Sequence, residues 1–199
     1  MEADWAVEIG AGLDCIDVPW SGEDWGPGSS CEFIDLLAAP ELSASIARIP
    51  EARDESALCS GLIRLNGPGS PVFTSKCDLW TLESGEIDSY ELDAAGPVIA
   101  GRASYIDFVF RDAARFASFD AHERWMRRVV DYLRQSALRS VRVDFVLRQA
   151  EVRGVEGFGI SFYAIGCGPD GVSAALSWEA ALAAAVEAIC DQQYLSAAD

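Results

Sequence analysis

Lys76 is the only lysine in the chain, and it sits between Ser75 and Cys77, with Asp78 next in line. An amine, a thiol and a carboxylate in three consecutive positions could make a nucleophilic site. A cysteine nucleophile needs its pKa lowered by a base, a cation or a helix N-terminus. Cys77 has Lys76 beside it in sequence. Cys167, in "GCGPDG", stands just before a predicted helix and is the other thiol candidate. His122, the only imidazole, falls in the first turn of a predicted helix and reads as an exposed cap. In a regular strand the trio divides. Lys76 and Asp78 point one way with Trp80, and Cys77 points the other way with Phe73 and Leu79.

Carboxylate chemistry is the second option. Asp35, Asp78, Asp107 and Asp144 each fall in a predicted strand and could meet on one face. Acid–base catalysis needs two such groups in one pocket with pKa values driven apart. Lys76 and nearby arginines are equally placed to neutralise them.

Metal and cofactor chemistry have little to work with. The six cysteines, Cys15, Cys31, Cys59, Cys77, Cys167 and Cys190, form no CxxC pair, and a single histidine gives no zinc spacing. They read as small apolar residues of a reduced compartment. The glycine-rich segments "GAG", "GPGSS", "GPGSP" and "GCGPDG" match neither GxGxxG nor GxxxxGK[ST], so they read as turns and no cofactor is expected. The loop "PWSGEDWGPG" at 19–28 carries Trp20 and Trp25 near Glu23 and Asp24. Tucked tryptophans anchoring a long loop explain it better than a stacking site.

The elements that would hold these groups follow from periodicity. "CEFIDLL" (31–37), the stretch from Ser70 to Leu82, "SYIDFVF" (104–110), "VRVDFVLRQAEV" (141–152) and "GFGISFYAIGCG" (157–168) read as strands, the last two as a hairpin around Arg153–Glu156. Residues 50–66 read as one helix opened by Pro50 and stopped by Asn66-Gly67-Pro68. Residues 120–139 read as the clearest helix, opened by a capping box of Asp120 and Glu123. Trp125, Met126, Val129, Val130, Leu133 and Ala137 form its apolar stripe. An alanine-rich helix closes the chain at 173–192. The N-terminal "AVEIGAGLDCIDV" adds an edge strand made irregular by Gly10 and Gly12.

The order strand, helix, strand occurs twice, and then a further strand and helix. This predicts an α+β fold: a mixed or antiparallel sheet covered by helices on one face, with a ferredoxin-like βαβ–βαβ pseudo-repeat. The chain reads as a single domain, 1–199, built from two similar halves (about 1–85 and 102–199) joined by a polar connection at 83–101.

Alternation leaves a second sheet face that mixes acids, bases and aromatics. The expected binding surface is Phe33, Asp35, Lys76, Asp78, Trp80, Tyr105, Asp107, Arg142, Asp144 and Tyr163. Aromatics interleaved with charges give an interface both area and orientation. A half-solvated sheet held by cross-strand ion pairs would read the same way.

Charge narrows the partners. Of the 199 residues, half are hydrophobic, and the formal net charge is −17. Basic residues cluster at 111–153, the only segment where they outnumber the acids. An acidic chain repels a phosphate backbone, so nucleic acid is not an expected partner. The N-terminus lacks a signal-peptide pattern and no apolar run reaches membrane-spanning length, so the expected location is the cytoplasm, with no membrane partner. The leading expectation is a binding protein that engages a protein partner or a second copy of itself. An acidic neutraliser of a basic partner, of the immunity-protein kind, is one version. A small enzyme with a thiol or carboxylate site and a small-molecule-binding α+β domain are the alternatives.

Overall fold

A computed structural model describes residues 1–20, 32–37, 41–88, 91–94 and 96–191. The fold is α+β, with six strands in one mixed sheet: β1 Glu2–Glu8, β2 Cys15–Val18, β3 Val72–Glu83, β4 Ala100–Phe110, β5 Val141–Val152 and β6 Val155–Gly168. The order across the sheet is β1-β5-β6-β4-β3. β1 and β2 both run parallel to β5, on Arg142–Arg148 and Gln149–Val152 respectively, and the remaining pairings are antiparallel. The irregular N-terminal edge strand is therefore two segments, separated by a turn in which the Leu13 amide donates to Gly10 O at 3.2 Å.

Residues 32–37 form no strand. Asp35 Oδ1 instead accepts from the Leu37 amide at 3.0 Å, a local turn that competes with sheet pairing. Without a strand there, the first unit of the expected ferredoxin-like repeat is missing. The two expected halves also share the sheet, since β1 and β2 join β5 while β3 joins β4. Cys31, Trp25 and most of the tryptophan loop lie outside the described residues.

Among the described residues six α-helices accompany the sheet: α1 Leu42–Ile46, α2 Pro50–Arg53, α3 Ser56–Asn66, α4 Ala113–Phe116, α5 Phe119–Leu133 and α6 Gly171–Cys190. The helix expected from 50 to 66 is broken at Asp54 and Glu55, and Glu55 pairs with Arg102 of β4. α5 is capped by Ser118, whose Oγ accepts from the Ala121 amide at 3.2 Å, rather than by an Asp120–Glu123 box. It ends at Leu133, leaving Ala137 exposed, and Arg134 Nε donates to Ala3 O at 2.8 Å. Two residues, Arg153 and Gly154, both at positive φ, close the β5–β6 hairpin.

The main core lies between one sheet face and α3, α5 and α6. Ile106, Phe108, Phe110, Val143, Phe145, Leu147, Ile160 and Phe162 meet Trp125, Met126, Trp178, Leu182 and Leu62 there. Trp178 Nε1 donates to Ser104 Oγ at 2.9 Å, which satisfies the only polar atom of a buried indole. α6 is long and apolar enough to cross a membrane by composition alone, and its Ala174, Trp178, Ala181 and Ala185 are buried on the sheet. A Cβ on Gly166 would lie 2.0 Å from the Trp178 amide nitrogen, so glycine there sets the closeness of α6 to β6.

A smaller apolar cluster lies on the opposite face, where Ile16, Val18, Phe73, Val109, Phe116 and Ala150 meet. It brings side chains of β2 and the single-turn α4 onto the charged face. Gly159 makes the crossing feasible, because a Cβ there would stand 2.9 Å from Ile16 Cδ1.

Candidate functional site

The second sheet face is ordered in rows that run across the strands. One row is Asp78, Tyr105, Tyr163, Asp144 and Asp4, on β3, β4, β6, β5 and β1. The next is Lys76, Asp107, Ser161 and Val146. Trp80 opens a third, facing Ala103. The rings form a continuous series, with Trp80 6.3 Å from Tyr105 and Tyr105 5.8 Å from Tyr163.

A β-bulge at Ser75 sets this register. Asn66, at the end of α3, grips the strand just before it. Its Nδ2 donates to Thr74 Oγ1 at 2.8 Å, and its Oδ1 accepts from the Thr74 amide at 2.9 Å. The extra residue turns Phe73 onto the charged face while Cys77 and Leu79 stay against the main core. Phe73 and Cys77 are thus on opposite faces, unlike in a regular strand. Ser75 also ties down the N-terminal segment. Its Oγ donates to Asp17 O at 3.1 Å, and its carbonyl accepts from Trp20 Nε1 at 3.1 Å.

That segment leaves a cavity of about 620 Å³ against the sheet. Lys76, Tyr105, Asp107, Arg148, Ser161 and Tyr163 line the sheet side. Asp14 to Asp17 and Trp20 line the other. Ser161 Oγ donates to Asp107 Oδ1 at 2.5 Å and accepts from Arg148 Nε at 3.1 Å. Arg148 is 9% exposed and reaches Glu8 at 2.9 Å and Asp14 at 3.3 Å. A buried guanidinium with its nitrogens partnered holds the serine and the aspartate in fixed geometry.

Burial pushes the Asp107 carboxyl up to about 6, against the opposing pull of the Ser161 hydrogen bond and of the Lys76 and Arg148 charges. Tyr105 is pushed above the ordinary phenol range by burial and then by Asp107 and Asp78, so it stays a neutral donor. At neutral pH the sheet side of the cavity holds the mostly ionised Asp107 carboxylate, the Tyr105 and Tyr163 phenols, the Lys76 amine and a guanidinium already engaged, and Asp14 and Asp17 face them from the other side.

Eight of the residues expected on the charged face share it: Lys76, Asp78, Trp80, Tyr105, Asp107, Arg142, Asp144 and Tyr163. Arg142 Nε meets Asp144 at 2.6 Å, and Glu91 of the polar connection returns to within 3.7 Å of Arg142. Phe33 and Asp35 do not join them on the sheet, because their segment is not a strand. Phe33 packs edge-on to Trp20 at 6.0 Å, and Asp35 pairs with Arg153 at 2.8 Å.

The two candidate thiols sit in surroundings that oppose ionisation. Cys77 is pushed up to about 12, chiefly by burial, and lines a smaller cavity of about 270 Å³ with Ile34, Leu36, Ile49 and Leu62. Cys167 is buried and also raised by burial, and its thiol donates to Ser140 O at 3.5 Å. His122 is fully buried against Phe110 and Phe158, where burial lowers its pKa, and is not an exposed cap. Its Nδ1 lies 2.8 Å from Ser118 O and carries the proton, since a carbonyl only accepts. No group of three or more potential metal ligands occurs among the described residues.

Alternation in β5 and β6 already puts Arg148 and Ser161 on this face, but nothing in their local sequence singles them out. Asp14, Asp17 and Trp20 join the site through a long-range crossing that has no local signature. No protein-family model, curated protein or solved structure matches the chain.

Proposed function

We propose that the protein binds a small polar molecule in the cavity between the Asp14–Trp20 segment and the charged sheet face. One observation carries this reading: polar groups from four strands, β3, β4, β5 and β6, converge on a single concavity lined also by aromatic residues. Small-molecule sites characteristically combine a concave shape, an aromatic lining and a few fixed polar groups. Asp107 is kept ionisable at a cost in desolvation, and such strained titratable groups concentrate at functional sites. A ligand-observed NMR screen of small metabolites against the wild-type protein tests the proposal. Hits are expected to bind wild type and to weaken in Asp107→Asn. A screen without hits, or hits indifferent to that substitution, would overturn it.

A protein partner is the second reading, and the ring row favours it. Trp80 is 36% exposed at the edge strand and leads onto Tyr105 and Tyr163. A partner docking there would bury the row beside the cavity rather than fill the cavity. A thiol enzyme has less support, because burial holds Cys77 and Cys167 in the protonated form. The five described cysteines are free, which suits the reducing cytoplasm proposed as its location.

A further inference from the structure

We infer that the ligand of this cavity is a small organic cation, with its ammonium head held by carboxylates and aromatic faces. The inference rests on the small-molecule reading above and names the ligand's class.

The charges decide the sign. Arg148 lines the cavity, but its Nε, Nη1 and Nη2 are directed to Ser161, Asp14 and Glu8. Each of its three nitrogens already has an acceptor, two of them carboxylates, so its charge is largely matched within the protein. Lys76 stands opposite Asp107 in the ladder and its charge already stabilises that carboxylate. The acids along the cavity, Asp14, Asp17 and Asp107, outnumber these two bases. Glu8 on Arg148, and Asp78 beside Tyr105 in the row, add to the negative surplus. The chain's net charge of −17 draws cations from a distance and repels anions.

The walls suit the same class. Tyr105, Tyr163 and Trp20 line the cavity, and a cation over an aromatic face is attracted by the ring quadrupole. Trp20 is fixed by its bond to Ser75 O and by edge contact with Phe33, and the tyrosines are fixed by their place in the sheet. Such a site is formed before the ligand arrives, which saves the ordering cost of binding.

Calorimetric titration of the wild-type protein with choline, putrescine, 3,3-dimethylbutan-1-ol and succinate tests the inference. The alcohol has choline's shape without its charge. Choline or putrescine is expected to bind, the alcohol to bind at least about tenfold more weakly, and succinate not to bind. Tyr163→Leu is expected to weaken the cation about tenfold at unchanged thermal stability. If succinate binds in preference, or the alcohol matches choline, the inference fails while the small-molecule reading stands. If neither cation binds, the inference fails, and the metabolite screen decides the broader reading separately.

Discussion

The two faces of the sheet solve different problems with the same alternating strands. The helix-covered face buries Phe108, Phe145, Phe162, Trp125 and Trp178, and Trp178 Nε1 is answered there by Ser104. The opposite face withdraws a carboxylate and a guanidinium from water and then leaves room beside them. A face selected only for stability would replace those charges with apolar residues, since buried ion pairs seldom outperform a packed hydrophobic substitute. The contrast puts the larger packed core on one side of the sheet and the proposed site on the other.

Substitutions on each face sharpen that contrast. Phe145→Ala on the covered face is expected to cost about 3–5 kcal/mol in denaturant titration, from lost burial and the cavity left behind. Arg148→Met comes next. It leaves Ser161 without its guanidinium donor and Asp107 without a nearby positive charge, and a loss of roughly 1–3 kcal/mol is expected by the same measurement. A smaller loss than for Phe145→Ala fits, because Asp14 and Glu8 can still reach solvent.

Asp107→Asn should go the other way. The native carboxyl holds its proton up to about pH 6, whereas an ordinary aspartate releases it near 3.8. The contribution of this group to stability is therefore complete below the lower value and is lost as pH rises through the upper one. The asparagine variant lacks that decline. At pH 7 it is expected to be more stable than wild type by roughly 1–2 kcal/mol, a difference that vanishes towards pH 4. Thermal melts across that range check it, and a variant less stable at every pH would break the contrast between the faces. The smallest effect on stability belongs to Tyr163→Leu, within about 0.5 kcal/mol, because its side chain is half-exposed and away from the core.

What the sequence disclosed follows the range of the interactions involved. Strand alternation is local, so the apolar face and eight of the charged-face residues could be read from period two. The expected strand at 31–37 failed because Asp35 bonds the Leu37 amide, a local turn that the apolar pattern conceals. The Ser75 bulge depends on Asn66, a residue whose partners lie eight positions away in the chain. The cavity depends on contacts between Asp17 and Ser75 and between Asp14 and Arg148, separated by 58 and 134 positions. No periodicity records those meetings, so the face was legible as charged and aromatic but not as a pocket.

The most direct test is to map amide chemical shifts in the wild-type protein during a titration with choline and, separately, one with putrescine. Saturable changes centred on Tyr105–Asp107 and Ser161–Tyr163, with matching changes at Asp14–Asp17, are the predicted result. Changes confined to α3 or α6, or none with either cation, would contradict the account.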